Sequence, residues 1–236
     1  MKPRRTQNLS GALGAANFLI HRITERIARS LTYQGRVVDL GCGNAPYKDI
    51  ILEQADEYIG VDWENSAHDQ SQVDVFADLT KEIPLESDWA DTLVSFQVME
   101  HLPEPEFFLR ECMRILKPGG RLYITVPFMW RVHEAPHDYF RYTRHGLEYL
   151  LSKVQFEQIE ITEYTGFWQM FVLKFNYHSL RYAKGPLKYF WVPIWLLNQT
   201  IAPWLDRVDR NPNEPVGYVV SARRSESNSH SKAKAA

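Results

Sequence analysis

The chain contains 236 residues, a length that fits one domain, or one domain with a large insertion, and leaves little room for a second catalytic domain. Hydrophobic residues make up 44% of the composition and charged residues 24%, which excludes disorder over most of the chain. Because 27 Lys and Arg face 29 Asp and Glu, the net charge of −2 excludes a global basic field, and no nucleic-acid partner is expected.

The cysteine content argues against a disulfide framework and against a structural zinc site. Cys42 and Cys112 are the two cysteines, and neither belongs to a CxxC or Cys/His ligand pattern. Two cysteines are too few for a disulfide framework, so reduced thiols are expected and a structural zinc site is not.

The N-terminal segment is basic and then amphipathic. Lys2, Arg4 and Arg5 precede a stretch in which apolar positions alternate with charged ones, which predicts an amphipathic helix rather than a cleaved secretory signal. The most apolar later run, Tyr189 to Leu197, is much shorter than the about 20 residues that a membrane-spanning helix needs. We therefore expect no transmembrane helix and a cytoplasmic protein, with peripheral contact at the inner membrane face left open.

Strand and helix patterns alternate from residue 36 onward. Short β-branched runs are separated by turn residues or by amphipathic segments, a pattern typical of βαβ units. It predicts an α/β fold with a Rossmann-like, mostly parallel, seven-stranded sheet and helices on both faces. The predicted strands are Arg36 to Leu40, Tyr58 to Val61, Val73 to Phe76, Asp91 to Phe96, Arg121 to Val126, Phe156 to Tyr164 and Gly217 to Ala222, and the predicted core helices are Tyr47 to Gln54, Glu104 to Leu116 and Thr143 to Leu151.

The patterns predict five parts along the chain. They are an N-terminal helical segment (1–35), a Rossmann-like core (36–165), an aromatic helical insertion or lid (166–212), a closing strand (213–223) and a disordered tail (224–236). Within the insertion, Pro186, Pro193 and Pro203 are expected to divide the chain into short helices.

A ligand-binding turn is indicated where the first strand meets the first core helix. Gly41 and Gly43 allow a ligand to approach the backbone, and Asp62, at the end of the next strand, is suited to accept hydrogen bonds from ribose hydroxyls. The full GxGxxG spacing is missing, since Pro46 takes the third position. Asp39 lies two residues before Gly41, where a carboxylate repels a pyrophosphate and favours a cationic ligand. This argues against a nicotinamide-dependent dehydrogenase.

The run Val37 to Gly43 resembles the first motif of class I S-adenosylmethionine-dependent methyltransferases. Four later blocks agree with the same family in order and spacing: Tyr58 to Asp62, Phe76 to Leu79, Asp91 to Leu102, and Leu116 to Gly120, the last as in the type 11 branch. The resemblance covers about Val37 to Pro127 and implies S-adenosylmethionine as cofactor and methyl transfer as activity. One departure is Asn44-Ala45-Pro46 in place of the family's third glycine, where the alanine methyl is expected to leave the turn intact.

The resemblance also implies roles for individual residues. Asp39 would organise the glycine turn and the amino-acid end of the cofactor, Asp62 would hold the ribose, and Trp63 would pack against the adenine. Asp78 would accept a hydrogen bond from the adenine amino group, and Gln97 would line the methionine portion. The full implied cofactor-binding set is Asp39, Gly41, Gly43, Asn44, Asp62, Trp63, Asp78, Leu79 and Gln97.

Candidate catalytic residues lie at the carboxyl edge of the predicted sheet, where open α/β sheets bind ligands. His133 and His137 follow the fifth strand and are candidate bases near neutral pH, Asp138 is placed to orient one of them, and His101, after the fourth strand, is a third candidate. No metal site is expected from His133 and His137, because an i, i+4 pair needs a helix and a proline lies between them.

The block Pro127 to Thr143 resembles a bacterial methyltransferase group associated with surface-polysaccharide or other glycoconjugate biosynthesis. This implies O-methylation of a small-molecule, sugar or lipid-linked glycan acceptor. Two alternatives stay open: a catalytically degenerate cofactor- or partner-binding domain, and a methyltransferase acting on another acceptor atom. Three interpretations of the aromatic insertion also stay open: a lid over the acceptor, a homodimer interface and a peripheral membrane contact.

Overall fold

A computed structural model describes residues 11–65 and 69–226 of the chain. Most of the predicted disordered tail (224–236) and the first ten residues of the predicted N-terminal segment therefore lie outside the described residues. Within the described part the chain divides into two compact units. The sheet unit comprises residues 31–127, 132–162 and those from 218 onward, and the helical unit comprises residues up to 30, 128–131 and 163–217.

A seven-stranded sheet runs through the fold, as predicted. Its strands are β1 (Arg36–Leu40), β2 (Glu57–Asp62), β3 (Val75–Phe76), β4 (Ala90–Phe96), β5 (Leu116–Pro127), β6 (Phe156–Glu163) and β7 (Gly217–Arg224), in the spatial order β3-β2-β1-β4-β5-β7-β6. The pairs β1/β2, β1/β4, β2/β3 and β4/β5 are parallel. The strand order reverses between β1 and β4, so this carboxyl edge is the expected ligand position of an open α/β sheet.

Three helices belong to the sheet unit: α2 (Lys48–Leu52), α3 (Pro105–Ile115) and α4 (Arg144–Lys153), with a 3₁₀ turn at Met99–His101. β1 is apolar apart from Arg36 and Asp39, as expected of a strand that is covered on both faces, and its residues Val37, Val38 and Leu40 are fully buried. α3 buries one face, since Phe108, Leu109 and Cys112 follow helical spacing and have no exposed surface. Burial of these elements fixes the strand ends that carry the polar residues of the site.

The helical unit contains α1 (Gly11–Ser30), α5 (Phe167–Ser179) and α6 (Lys188–Val208). Trp195 is fully buried, and its indole Nε1 donates a hydrogen bond to Ser179 Oγ over 2.8 Å. The side-chain amide of Gln199 donates to the Ala15 carbonyl over 2.7 Å, which ties α6 to α1. Buried polar groups thus find partners across helices inside this unit.

The expectation that Pro193 and Pro203 end short helices is wrong, because α6 runs through both of them. Each internal proline removes one backbone hydrogen bond. Packing offsets that loss, since Trp195 and Ala202, which lie between the two prolines, are fully buried. Among the residues that the structure describes, no helix combines the length and the apolar character that crossing a bilayer requires.

Candidate active site

The turn after β1 depends on glycine. Gly41 has a φ of 81° and Gly43 a φ of 53°, both in the left-handed region. The amides of Gly41 and Cys42 donate to the Val61 carbonyl over 2.8 and 3.0 Å, which fixes the turn to β2. A Cβ atom on Gly41 would lie 2.3 Å from Val98 Cγ2, so a side chain is excluded there.

The departure from the family turn is accommodated. Asn44 is half-buried in the turn, and Ala45 is buried with a φ of 49°. The Ala45 amide donates to the Cys42 carbonyl over 2.8 Å, which closes the loop without a third glycine.

Asp39 is buried beside this turn. Only 2% of its surface is exposed, and one carboxylate oxygen accepts a hydrogen bond from the Tyr58 hydroxyl over 2.8 Å. Burial raises the pKa of Asp39 to about 7; the Tyr58 hydrogen bond opposes this shift and the nearby Asp62 adds to it. A cationic ligand group at this position would favour the ionised carboxylate. Sequence reasoning missed Tyr58, because its role depends on the pairing of β1 with β2.

Asp62 ends β2 and presents an unsatisfied acceptor. Its Oδ1 accepts from the Trp63 amide over 2.7 Å, whereas its buried Oδ2 has no hydrogen-bond partner in the described part of the chain. A buried carboxylate oxygen without a donor is costly, and a ligand diol would supply donors. Trp63 is 41% exposed, and its ring centroid lies 5.9 Å from that of His137.

The other predicted cofactor residues have local partners. Asp78 Oδ1 accepts from both the amide and the hydroxyl of Thr80, over 3.0 and 2.7 Å, and the hydroxyl hydrogen bond is the main cause of a lowered pKa of Asp78. Leu79 is buried. Gln97 follows β4 with a φ of 59°, and its amide nitrogen donates to Thr125 Oγ1 over 3.1 Å. These contacts hold the chain just after β3 and just after β4. One carboxylate oxygen of Asp78 is already hydrogen-bonded within its own loop.

The fold brings two of the three predicted histidine bases together. The ring centroids of His101 and His133 are 4.9 Å apart, and His101 Nδ1 lies 2.7 Å from the His137 carbonyl oxygen. A carbonyl only accepts, so His101 Nδ1 carries the proton and Nε2 bears the lone pair. The His137 ring lies apart from this pair, exposed, beside Trp63 and Tyr139.

Glu100 is a candidate site residue that the sequence analysis did not single out. It is fully buried between these imidazoles, and neither of its carboxylate oxygens has a hydrogen-bond partner among residues 11–65 and 69–226. Burial raises the pKa of Glu100 to about 8. Its carbonyl accepts from the amides of Tyr139 and Phe140 over 2.9 and 3.2 Å, which holds the loop after β5 against it. Its position next to His101 is the one linear signal for it.

Asp138 holds this loop together. Arg141 donates to both of its carboxylate oxygens, over 2.6 and 2.8 Å, and these bonds hold the pKa of Asp138 well below its usual range. The His133 amide also donates to Asp138, over 2.8 Å. Burial, and then the neighbouring His101, lower the pKa of His133, which favours the neutral imidazole.

The chain is similar to known methyltransferases in sequence. Residues 38–124 match the family described as "Methyltransferase domain", of type 11. A probable S-adenosylmethionine-dependent methyltransferase of Mycolicibacterium smegmatis is 35% identical over 96 residues, which cover 39% of this chain and 37% of that protein. A ubiquinone biosynthesis O-methyltransferase of Xanthomonas euvesicatoria is 28% identical over 100 residues, 38% of this chain and 42% of that protein. The chain thus spans about two fifths of the curated relatives that it matches.

Solved structures share the fold. A methyltransferase structure from Archaeoglobus fulgidus aligns with a TM-score of 0.54 and 16% identity, covering 92% of this chain and 96% of that one. One from Mesorhizobium loti aligns with a TM-score of 0.55 and 20% identity, covering 87% and 100%.

The glycine turn, the buried Asp39 and the unsatisfied Asp62 fit the cofactor of this family, and the matched region contains all three. Residues 38–124 are thus similar to the methyltransferase domain family, and the strand order agrees with the Rossmann-like fold of the solved methyltransferase structures.

Proposed function

We propose that this protein methylates a hydroxyl group of a small-molecule, sugar or lipid-linked glycan acceptor. The observation that carries the proposal is a polar cluster at the edge of the sheet that also holds the glycine turn, formed by Glu100 and His101 after β4 and by His133 after β5. A hydroxyl is a weak nucleophile and needs help in losing its proton, which is the chemistry that such a cluster provides. The O-methyltransferase among the relatives supports this choice of acceptor atom.

When bound, the cofactor supplies an electrophilic methyl group. The residues of this chain then align and activate the acceptor. His101 Nε2 is the accessible proton acceptor, because Nδ1 is held by the His137 carbonyl. Asp138 and Arg141 are positioning residues, since they bind each other and hold the loop that carries His133.

The test is an acceptor screen with matched histidine variants. His101→Asn and His133→Asn are expected to lower turnover by about 10²-fold or more, the usual contribution of a general base, while S-adenosylhomocysteine affinity stays unchanged. His145→Asn is the control, because 91% of the His145 side chain is exposed on α4. Full turnover in both cluster variants would contradict the proposal. Cofactor binding with no turnover of any hydroxyl acceptor would favour a degenerate binding domain.

His137 keeps its separate test. His137→Ala retains the backbone carbonyl that orients His101 and removes only the exposed ring. We expect it to spare cofactor binding and to lower turnover, and unchanged turnover would remove the His137 ring from the catalytic set.

We also propose that the aromatic insertion contacts an anionic membrane surface, where a lipid-linked acceptor would be found. Tyr189, Phe190 and Trp204 of α6 are 73%, 62% and 58% exposed. Lys188 Nζ lies 5.0 Å from the centre of the Tyr189 ring, so positive charge accompanies the exposed aromatic rings. Exposed aromatic side chains beside basic ones are typical of interfacial helices.

Vesicle co-sedimentation tests this contact. The protein is expected to bind vesicles that contain phosphatidylglycerol and not vesicles of phosphatidylcholine alone, and Phe190→Ser should weaken binding. A concentration-dependent dimer without vesicle binding would instead make this surface a homodimer interface.

A further inference from the structure

We propose that Glu100, His101 and His133 bind a divalent transition-metal ion. One ligand atom from each residue lies within 4.8 Å of the other two. Glu100 Oε1 is 3.8 Å from His101 Nε2 and 4.0 Å from His133 Nε2. Metal bonds of about 2.0–2.2 Å in a tetrahedral site place ligand atoms about 3.4 Å apart. The two Glu100 separations would therefore shorten by about 0.4–0.6 Å, and the imidazole pair by at most about 1.4 Å, around a bound ion.

His101 is oriented as a metal ligand usually is, whereas His133 needs a change of tautomer, because its Nδ1 accepts a hydrogen bond from Arg141. A ligating imidazole generally donates its second N–H to a carbonyl or a carboxylate, which fixes the ring and its tautomer. His101 Nδ1 donates to the His137 carbonyl over 2.7 Å, and His133 Nδ1 lies 3.4 Å from Asp138 Oδ2. Arg141 Nη2 lies 3.3 Å from the same His133 nitrogen, and a metal on Nε2 selects the tautomer in which that nitrogen donates to Asp138.

Glu100 gives an independent reason for a cation. Its carboxylate is fully buried and lacks any hydrogen-bond donor within the described ranges, and the separations from the two imidazoles are too long for hydrogen bonds. A buried carboxylate without a hydrogen-bond donor is unfavourable unless a counter-charge or a metal compensates it. A cation between the three ligand atoms would satisfy the carboxylate and both Nε2 lone pairs together.

The surrounding charges allow a cation. Arg141 is the nearest positive group, and its charge is matched by Asp138, which it binds through both carboxylate oxygens. Glu134 Oε2 lies 3.7 Å from His101 Nε2 on the exposed side, so this carboxylate oxygen is within reach as a fourth ligand. With an ion bound and Glu100 deprotonated, the three proposed ligands would present one negative charge and two neutral nitrogens to it.

The ligand set selects the class of ion. Two imidazoles and one carboxylate suit Zn²⁺, Co²⁺, Fe²⁺ or Mn²⁺, whereas Ca²⁺ and Mg²⁺ prefer sites made of oxygen. The role of the ion rests on the proposed function: it would coordinate the acceptor hydroxyl and lower its pKa, and the released proton would pass to solvent. Coordination would then replace proton abstraction by His101 and His133. The metal site itself does not depend on that role.

Cobalt binding to the full chain, stripped of metal with a chelator, tests the site. We expect about one equivalent of Co²⁺ by equilibrium dialysis, with visible absorption bands of nitrogen- and oxygen-ligated cobalt. Glu100→Gln and His133→Asn should weaken binding at least tenfold, and the control His145→Asn should bind like the wild type. Substoichiometric binding, or equal binding by both cluster variants, would overturn the proposal.

A second measurement needs no variant and covers the case in which these variants do not fold. Zn²⁺ should protect His101 and His133 from diethyl pyrocarbonate, read by mass spectrometry, while His145 and His178, both exposed, react at unchanged rates. No selective protection would contradict the site. Calorimetry with S-adenosylhomocysteine and the acceptor screen are separate readouts. Metal binding without O-methyl transfer would refute only the proposed function, and turnover unaffected by a chelator, without metal binding, would refute only the metal site.

Discussion

Because one oxygen of Asp62 is unsatisfied, we expect the substitution Asp62→Asn to weaken ligand binding without lowering the stability of the protein. In Asp62→Asn the oxygen that accepts from the Trp63 amide is kept, and the charge on the buried, unpartnered Oδ2 is removed. If that oxygen holds the ribose of the cofactor, the variant loses a hydrogen bond to a charged acceptor. Such a bond contributes about 1.5–3 kcal/mol, so the Kd for S-adenosylhomocysteine should rise about 10- to 150-fold.

The stability of the ligand-free variant should not fall. The substitution removes the negative charge of a buried carboxylate whose Oδ2 has no hydrogen-bond donor in the described part of the chain. The same charge contributes to the raised pKa of Asp39, so its removal also relieves that repulsion. The melting temperature should therefore stay unchanged or rise. A role of Asp62 in folding alone would give the opposite sign.

Calorimetry and thermal unfolding check both readouts on the same samples. Asp69→Asn, at an exposed position of the following loop, is the control and should change neither. An S-adenosylhomocysteine analogue with a deoxyribose should bind the wild type less tightly and should lose little further affinity in Asp62→Asn. A Kd within twofold of the wild type, or a loss of affinity accompanied by a lower melting temperature, would refute the reasoning.

Three further predictions concern the turn, the pH dependence and the helical unit. Gly41→Ala should lower the free energy of unfolding by about 1–3 kcal/mol and abolish cofactor binding, because its Cβ would meet Val98 Cγ2 at 2.3 Å. Gly146→Ala is the control and should be tolerated in the same unfolding assay, because its Cβ would meet only Thr143 Oγ1 at 3.3 Å. Equal effects of the two substitutions would contradict this prediction. Because the pKa of Asp39 is raised to about 7, cofactor affinity should rise up to about tenfold from pH 6 to pH 8. For the same reason, the contribution of Asp39 to the stability of the ligand-free protein should fall as the pH rises from about 4 to 7. Calorimetry across this pH range measures the affinity, and an equally steep affinity profile in Asp39→Asn would contradict the first prediction. Trp195→Ala should lower the free energy of unfolding by about 3–5 kcal/mol and Trp204→Ala by less than about 0.5 kcal/mol, as measured by chemical denaturation. The reason is that Trp195 is fully buried and Trp204 is 58% exposed. A reversed order would contradict the placement of Trp195 in the core of the helical unit.

The sheet could be predicted because its buried strands have a strong local signal. Val37, Val38 and Leu40 are buried apolar residues of β1, interrupted by Asp39 and followed by Gly41, and a mainly apolar sequence is typical of parallel strands covered on both faces. The prediction fails where tertiary packing outweighs local propensity. Pro193 and Pro203 indicate helix ends, yet α6 continues through both because its buried residues pack within the helical unit.

The positions of the candidate cofactor residues at the strand ends could be predicted from the sequence, whereas the polar cluster could not. Gly41 and Asp62 lie at strand ends, where a linear pattern suffices. His101 and His133 are 32 positions apart, and they meet because the loop after β5 returns to the Glu100 carbonyl through the amides of Tyr139 and Phe140. No local pattern specifies that return, so neither the burial of Glu100 nor its two imidazole neighbours could be inferred from the sequence.

Titration calorimetry of the purified protein with S-adenosylmethionine and S-adenosylhomocysteine, with NAD as the control, tests the central claim most directly. The account predicts saturable one-to-one binding of both sulfur ligands, no heat from NAD, and loss of binding in Gly41→Ala. Saturable binding of NAD, or no binding of either sulfur ligand, would contradict the assignment of the glycine turn, Asp39 and Asp62 to an S-adenosylmethionine site.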